Sequence, residues 1–167
     1  MKAKHLLFGA AAAMMILGGC GTKSTSEQTP AASEHHHGNS AASGDIQETT
    51  ATIDKLPSFL DGQDPKIVQA YQMVAAHKDL LQYIPCYCGC ESIGHTSNRS
   101  CFIKEIKQDG SIVWDDHGTR CTTCMNIAVI SSKMQENGQS PLEIRQFIDS
   151  KFKQGYAKPT PTPMPNI

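Results

Sequence analysis

A chain of 167 residues with 15 basic and 16 acidic side chains and a formal charge of −1 can build one small domain, not several. The balanced charge, without a basic patch or an aromatic-interleaved stripe, argues against a nucleic-acid partner. Only 6% of the residues are aromatic, so a core this poor in large side chains gains from covalent staples or a structural metal.

In chain order, residues 1–19 read as a secretory signal. Lys2, Lys4 and His5 make a basic start, and Leu6 to Leu17 make an apolar stretch too short for a spanning helix. Leu17-Gly18-Gly19-Cys20 follows and resembles the lipobox of bacterial lipoproteins. That resemblance implies cleavage before Cys20 and a diacylglyceryl thioether on its sulfur, which makes membrane lipid the first expected partner. Gly21 stands where an aspartate would signal inner-membrane retention in some lipoproteins. Residues 20–53 are rich in Ser, Thr, Ala, Gly and Gln and are expected to be a flexible tether. Within it, His35-His36-His37 is either a weak metal scavenger or an incidental polar run.

Residues 54–157 are expected to form the domain. Asp64-Pro65 marks a helix start, with Asp64 as N-cap and Pro65 at the first helical position. Ile67, Tyr71, Val74 and Leu81 recur near helical spacing, and Pro85 predicts an end near Tyr83. Residues 86–100 read as a loop. Cys101–Ile106 and Ser111–Trp114, separated by Gln108-Asp109-Gly110, predict a hairpin. A second helix is expected from Thr119 or Arg120, with Gly138 ending it. Ser140-Pro141-Leu142-Glu143 is a capping box that opens a third, running to about Gly155 with Ile144, Phe147, Ile148 and Phe152 as its apolar side. The expected class is therefore mostly α, small α+β: three helices and a short hairpin around a cysteine-rich site. Residues 158–167, rich in Pro and Thr, are expected to be an extended, disordered tail.

Six of the seven cysteines fall within residues 86–124. Cys86, Cys88 and Cys90 form C-x-C-x-C, Cys101 stands alone, and Cys121 and Cys124 form C-x-x-C at a helix start. Thiols crowded this way hold a soft metal, exchange electrons or cross-link the chain, and outside the cytoplasm disulfides are a full alternative. Neighbours in C-x-C-x-C are poorly placed to bridge each other, while closely spaced thiolates can share one soft ion. His117 and His95 lie alongside as nitrogen donors, and Met125, Trp114 and Phe102 read as core. A Cys and His set favours Cu(I) or Zn(II) over hard ions. Covalent haem is disfavoured, because Met125 rather than histidine follows Cys124.

The candidate ligands are thus Cys86, Cys88, Cys90, Cys121 and Cys124, then Cys101 and His117, then His95. The function expected from them is metal storage, delivery or sensing, with an envelope protein or a metal donor or acceptor as partner. The alternatives are a disulfide-stapled, non-catalytic envelope-binding module and a thiol–disulfide oxidoreductase using Cys121 and Cys124. No Ser/His/Asp set or carboxylate pair arranged for hydrolysis stands out, and a non-enzymatic role is expected.

Ile84-Pro85-Cys86-Tyr87-Cys88-Gly89-Cys90, Gly94-His95, Cys101-Phe102, Trp114-Asp115-Asp116-His117-Gly118 and Cys121-x-x-Cys124 together resemble the bacterial PCYCGC-motif lipoprotein family. Gly44-Asp45-Ile46-Gln47 and Leu56-Pro57-Ser58-Phe59-Leu60 extend the resemblance upstream. It implies a secreted, lipid-anchored protein of Bacillus-like Gram-positive bacteria and implies no particular reaction.

Overall fold

The computed structural model describes residues 44–166; the signal segment, Cys20 and His35–His37 lie outside the described residues. The architecture is α+β, with four helices and a three-stranded antiparallel sheet set beside the cysteines. Among the described residues no helix is long and apolar enough to cross a membrane.

The sheet contains the expected hairpin and one strand more. β2 (Ile103–Ile106) and β3 (Ile112–Asp115) pair across a turn in which Asp109 accepts a hydrogen bond from Ser111 N at 2.9 Å. β1 (Gln47–Thr50) pairs with the other edge of β3, giving the order β1-β3-β2. β1 falls inside the stretch expected to be tether, so the ordered chain begins before residue 54. Its sequence, Gln-Glu-Thr-Thr, carries no apolar alternation. What holds it is pairing: the backbone ladder, and Trp114 Nε1 donating to Thr50 Oγ1 at 2.8 Å. β3 is the central strand, and its Ile112 and Trp114 are buried while Val113 between them is half-buried.

α1 (Pro65–Leu81) begins as its sequence predicts, with the Asp64 carboxylate accepting from Lys66 N at 2.8 Å and Pro65 in the first turn. Its buried stripe is Ala70, Tyr71, Val74 and Leu81. Tyr71 ties the helix to the sheet. Its ring meets Phe102 edge-on at 5.1 Å, and its hydroxyl donates to Asp115 O at 2.7 Å. Trp114 and Phe102 are core residues, both without exposure.

The expected second helix is broken in two. α2 (His117–Arg120) is a single turn, and α3 (Thr122–Glu136) starts after it. Between them Cys121 is extended, with φ −113° and ψ 93°, so it is the N-cap of α3 rather than a first-turn residue. The break has a local cause: Cys121 Sγ accepts from Cys124 N at 3.4 Å, capturing an N–H that the start of a helix leaves without a partner. α4 (Pro141–Phe152) carries the full capping box, Ser140 and Glu143 each bonding the other's backbone N–H. It buries Ile144, Ile148 and Phe152, one turn apart, and ends before Gly155. Phe147 is 42% exposed, because it lies off that narrow stripe.

The C-terminal segment is extended, as expected, but it is docked rather than free. Ala157 N and Thr160 N donate to Tyr87 O and Cys86 O, both at 3.0 Å, and Cys86 N donates to Thr160 Oγ1 at 2.9 Å. Arg145 Nη1 donates to Thr162 O and Pro163 O at 3.3 and 3.1 Å. Prolines already hold this stretch extended, which lowers the entropy lost when it lies along the cysteine loop.

Gly118 sits where α2 crosses Phe102. A Cβ there would lie 2.4 Å from the Phe102 ring and 3.0 Å from Cys101 O. Gly118→Ala is therefore expected to destabilise the fold by about 1–3 kcal/mol through overpacking, measured by chemical denaturation.

Candidate metal centre

Three segments carry the six cysteines together. Pro85 turns the chain out of α1 and into Cys86–Cys90. Gly89, at φ 85°, takes the left-handed bend that lets Cys90 fold back beneath it. A tight turn over Asn98–Cys101 brings in Cys101, and the first turn of α3 presents Cys124.

The Sγ atoms of Cys86, Cys88, Cys90, Cys101 and Cys124 all lie within 4.8 Å of one another. Cys86 is 3.0 Å from both Cys88 and Cys124, and Cys101 is 2.9 Å from Cys124. Cys88 to Cys124 is 3.4 Å, while Cys101 lies 3.8 Å from both Cys86 and Cys90. A disulfide needs about 2.05 Å between sulfurs. The edge of a tetrahedral thiolate site around one zinc is about 3.8 Å, from a metal–sulfur bond of about 2.3 Å. All six cysteines are unbridged, and five of them form a set suited to hold a metal ion.

The remaining candidates fall outside that set. Cys121 lies with His117 and Cys88 in a second group, again with every donor atom within 4.8 Å of the others. His95 is buried behind the cluster, its Nδ1 3.4 Å from Cys101 Sγ, and it groups with the carboxylates of Asp45 and Asp115. The C-x-x-C pair is therefore split between two groups, and Cys101 lies inside the five-sulfur set. Met125 is half-buried against the core cluster.

Five thiols this close cannot all ionise, since each new charge repels the last. The neighbouring thiols shift one another in opposite directions. Cys86 is pulled down to about 4 by hydrogen bonds from Cys101, Cys124 and Cys88. Cys88 and Cys90 are also drawn well down, each chiefly by Cys101. Cys124 is driven up by Cys101, Cys121, Cys86 and Cys88 together with burial. Cys101 is drawn down by Cys124, but Cys86, Cys88, Cys90 and burial outweigh this and raise it. The loop thiols are thus shifted down while the two thiols they face are shifted up. His117 is pushed up to about 11, first by Cys121 and Cys88 and then by the Asp45 carboxylate.

Three residues that support the centre escaped the sequence reading. Asn98 is fully buried and donates from Nδ2 to Cys124 O at 3.1 Å, fixing the turn that carries that sulfur. Thr160 bonds both backbone groups of Cys86 from the C-terminal segment. Asp45 pairs with Arg120 and sits 3.4 Å from His117 Nδ1. The only sequence signal for Asp45 was the upstream Gly44-Asp45-Ile46-Gln47 resemblance; Asn98 and Thr160 carried none, because their partners lie far away along the chain.

Fold and site together define a small α+β domain closed around a buried, metal-competent thiol cluster. A family model described as a protein of unknown function with a PCYCGC motif matches residues 10–165, and the chain belongs to that family. No curated protein and no solved structure matches it.

Thr160→Val removes the oxygen that accepts from the buried Cys86 N–H. An unpaired buried donor costs about 1–3 kcal/mol, so the variant is expected to lose stability by that amount in urea titration.

Proposed function

We propose that this chain is an extracytoplasmic lipoprotein, anchored in the membrane through Cys20, whose thiol centre binds Cu(I) or Zn(II) for storage, delivery or sensing. The observation that carries the metal reading is the convergence of five sulfurs within 4.8 Å of one another, drawn from separate segments of the chain. Soft thiolates select soft d10 ions, and neither thiol group includes a hard oxygen donor. The anchor rests on the basic and apolar run at 1–19 and on the small residues before Cys20.

Burial across the centre is graded. Cys86, Cys101 and Cys124 have no exposure, whereas Cys88, Cys121 and His117 are half-buried on one side. A purely structural ion needs no such open side. A centre that trades its ion with a donor or acceptor does, and this favours storage, delivery or sensing.

The full chain, purified anaerobically in detergent from its own envelope, tests the reading by native mass spectrometry combined with thiol alkylation. Bound Cu(I) or Zn(II) is expected, with thiols that resist iodoacetamide until a chelator strips the metal. Stripping is expected to lower stability by about 4 kcal/mol relative to protein held at a thousandfold excess over the dissociation constant. A metal-free protein with no alkylatable thiols would falsify the reading. For the anchor, metabolic labelling with an alkyne fatty acid is expected to tag the wild-type chain and leave Cys20→Ser unlabelled; equal labelling of both would refute it.

A further inference from the structure

We infer that the centre holds two ions, with Cys88 as the thiolate they share; this rests on the metal-binding reading above and specifies its stoichiometry. Seven donors line the centre, and a single tetrahedral ion takes four. They do not form one sphere. The first group is Cys86, Cys88, Cys90, Cys101 and Cys124; the second is Cys88, His117 and Cys121. Donors to one tetrahedral ion sit about 3.8 Å apart; Cys121 and His117 fall outside the common 4.8 Å of the five sulfurs and close instead with Cys88 into a second mutually close set, which we assign to a second ion. Cys88 alone belongs to both groups. A thiolate sulfur has lone pairs enough for two soft ions, and its half-buried position places it between the closed group and the open one.

The second group has support behind it. His117 Nδ1 lies 3.4 Å from Asp45 Oδ2, the carboxylate–histidine pairing that orients a ligating imidazole. That oxygen is buried and makes no hydrogen bond of its own, so orienting the imidazole is the role its position leaves it. Arg120, bonded to the same carboxylate and to Asp116, holds Asp45 in place. The inner group is closed by Asn98 and Thr160 and the outer group by Asp45, so each sphere has its own supporting contacts. The outer ion, on the half-buried side, is the one that exchanges first.

The test uses the full reduced chain in detergent, loaded anaerobically with isotopically enriched 113Cd(II), a d10 probe that takes thiolate sites. His35→Gln, His36→Gln and His37→Gln are combined in the background so that the tether adds no ion to the count. Native mass spectrometry is expected to show two ions per chain. NMR is expected to show two 113Cd resonances that split each other through the shared sulfur. Cys121→Ser keeps an N-cap side chain for α3, and is expected to retain one ion and lose the splitting. Saturation of the parent chain at one ion, or two ions persisting in Cys121→Ser, overturns the inference and leaves metal binding standing. Two ions without mutual splitting overturn Cys88 as the bridge. No bound ion in the parent overturns the metal-binding reading itself. If Cys121→Ser does not fold, the stoichiometry and splitting of the parent chain still decide.

Discussion

Five thiols share a volume in which every sulfur lies within 4.8 Å of every other, and three of those residues have no contact with water. Neither full ionisation nor solvation is open to such a group. Protons or a cation must lie between the sulfurs, and the surrounding fold is arranged to hold them at that spacing. Asn98 fixes the carbonyl of Cys124, Thr160 fixes both backbone groups of Cys86, and Cys121 caps the helix on which Cys124 rides. Each of these contacts acts on the backbone beneath a sulfur, so hydrogen bonds to the chain itself place the sulfurs.

The sheet supplies the other half of the support. β3 runs from an apolar segment straight into a polar one: Ile112 and Trp114 pack the core, and Asp115 and Asp116 follow at the edge of the thiol centre. β1 pairs with this strand and so brings Asp45 beside Asp116, Arg120 and His117. Gly118 allows α2 to pass against Phe102, keeping His117 close to Cys88 and Cys121. A strand of four polar residues thus has a part in the site that its own composition does not suggest. The graded burial of the donors then separates a closed interior from a side open to exchange.

Much of the scaffold was legible in the sequence, because its signals are local. The Asp64-Pro65 helix start, the hairpin turn at Asp109-Gly110 and the Ser140–Glu143 capping box depend on residues within four positions of each other. The thiol content, its loop-plus-helix arrangement and the α+β class were legible for the same reason. What could not be read was every feature held by distant partners. β1 and the docked C-terminal segment have compositions suited to free chain, and they are ordered by backbone pairing with β3 and with Cys86-Tyr87.

The sequence by itself determined which donors are present and that they are soft, since residue type sets ligand chemistry. It also determined that a helix would start near the C-x-x-C. Only the tertiary structure decided how those donors divide. Cys101 joins the five-sulfur group, Cys121 groups with His117, and Cys88 belongs to both groups. That division depends on the extended backbone at Cys121 and on the meeting of three separate cysteine-bearing segments. Spacing along a chain constrains neighbours within a turn or two; it carries no information about which sulfur meets which across the fold.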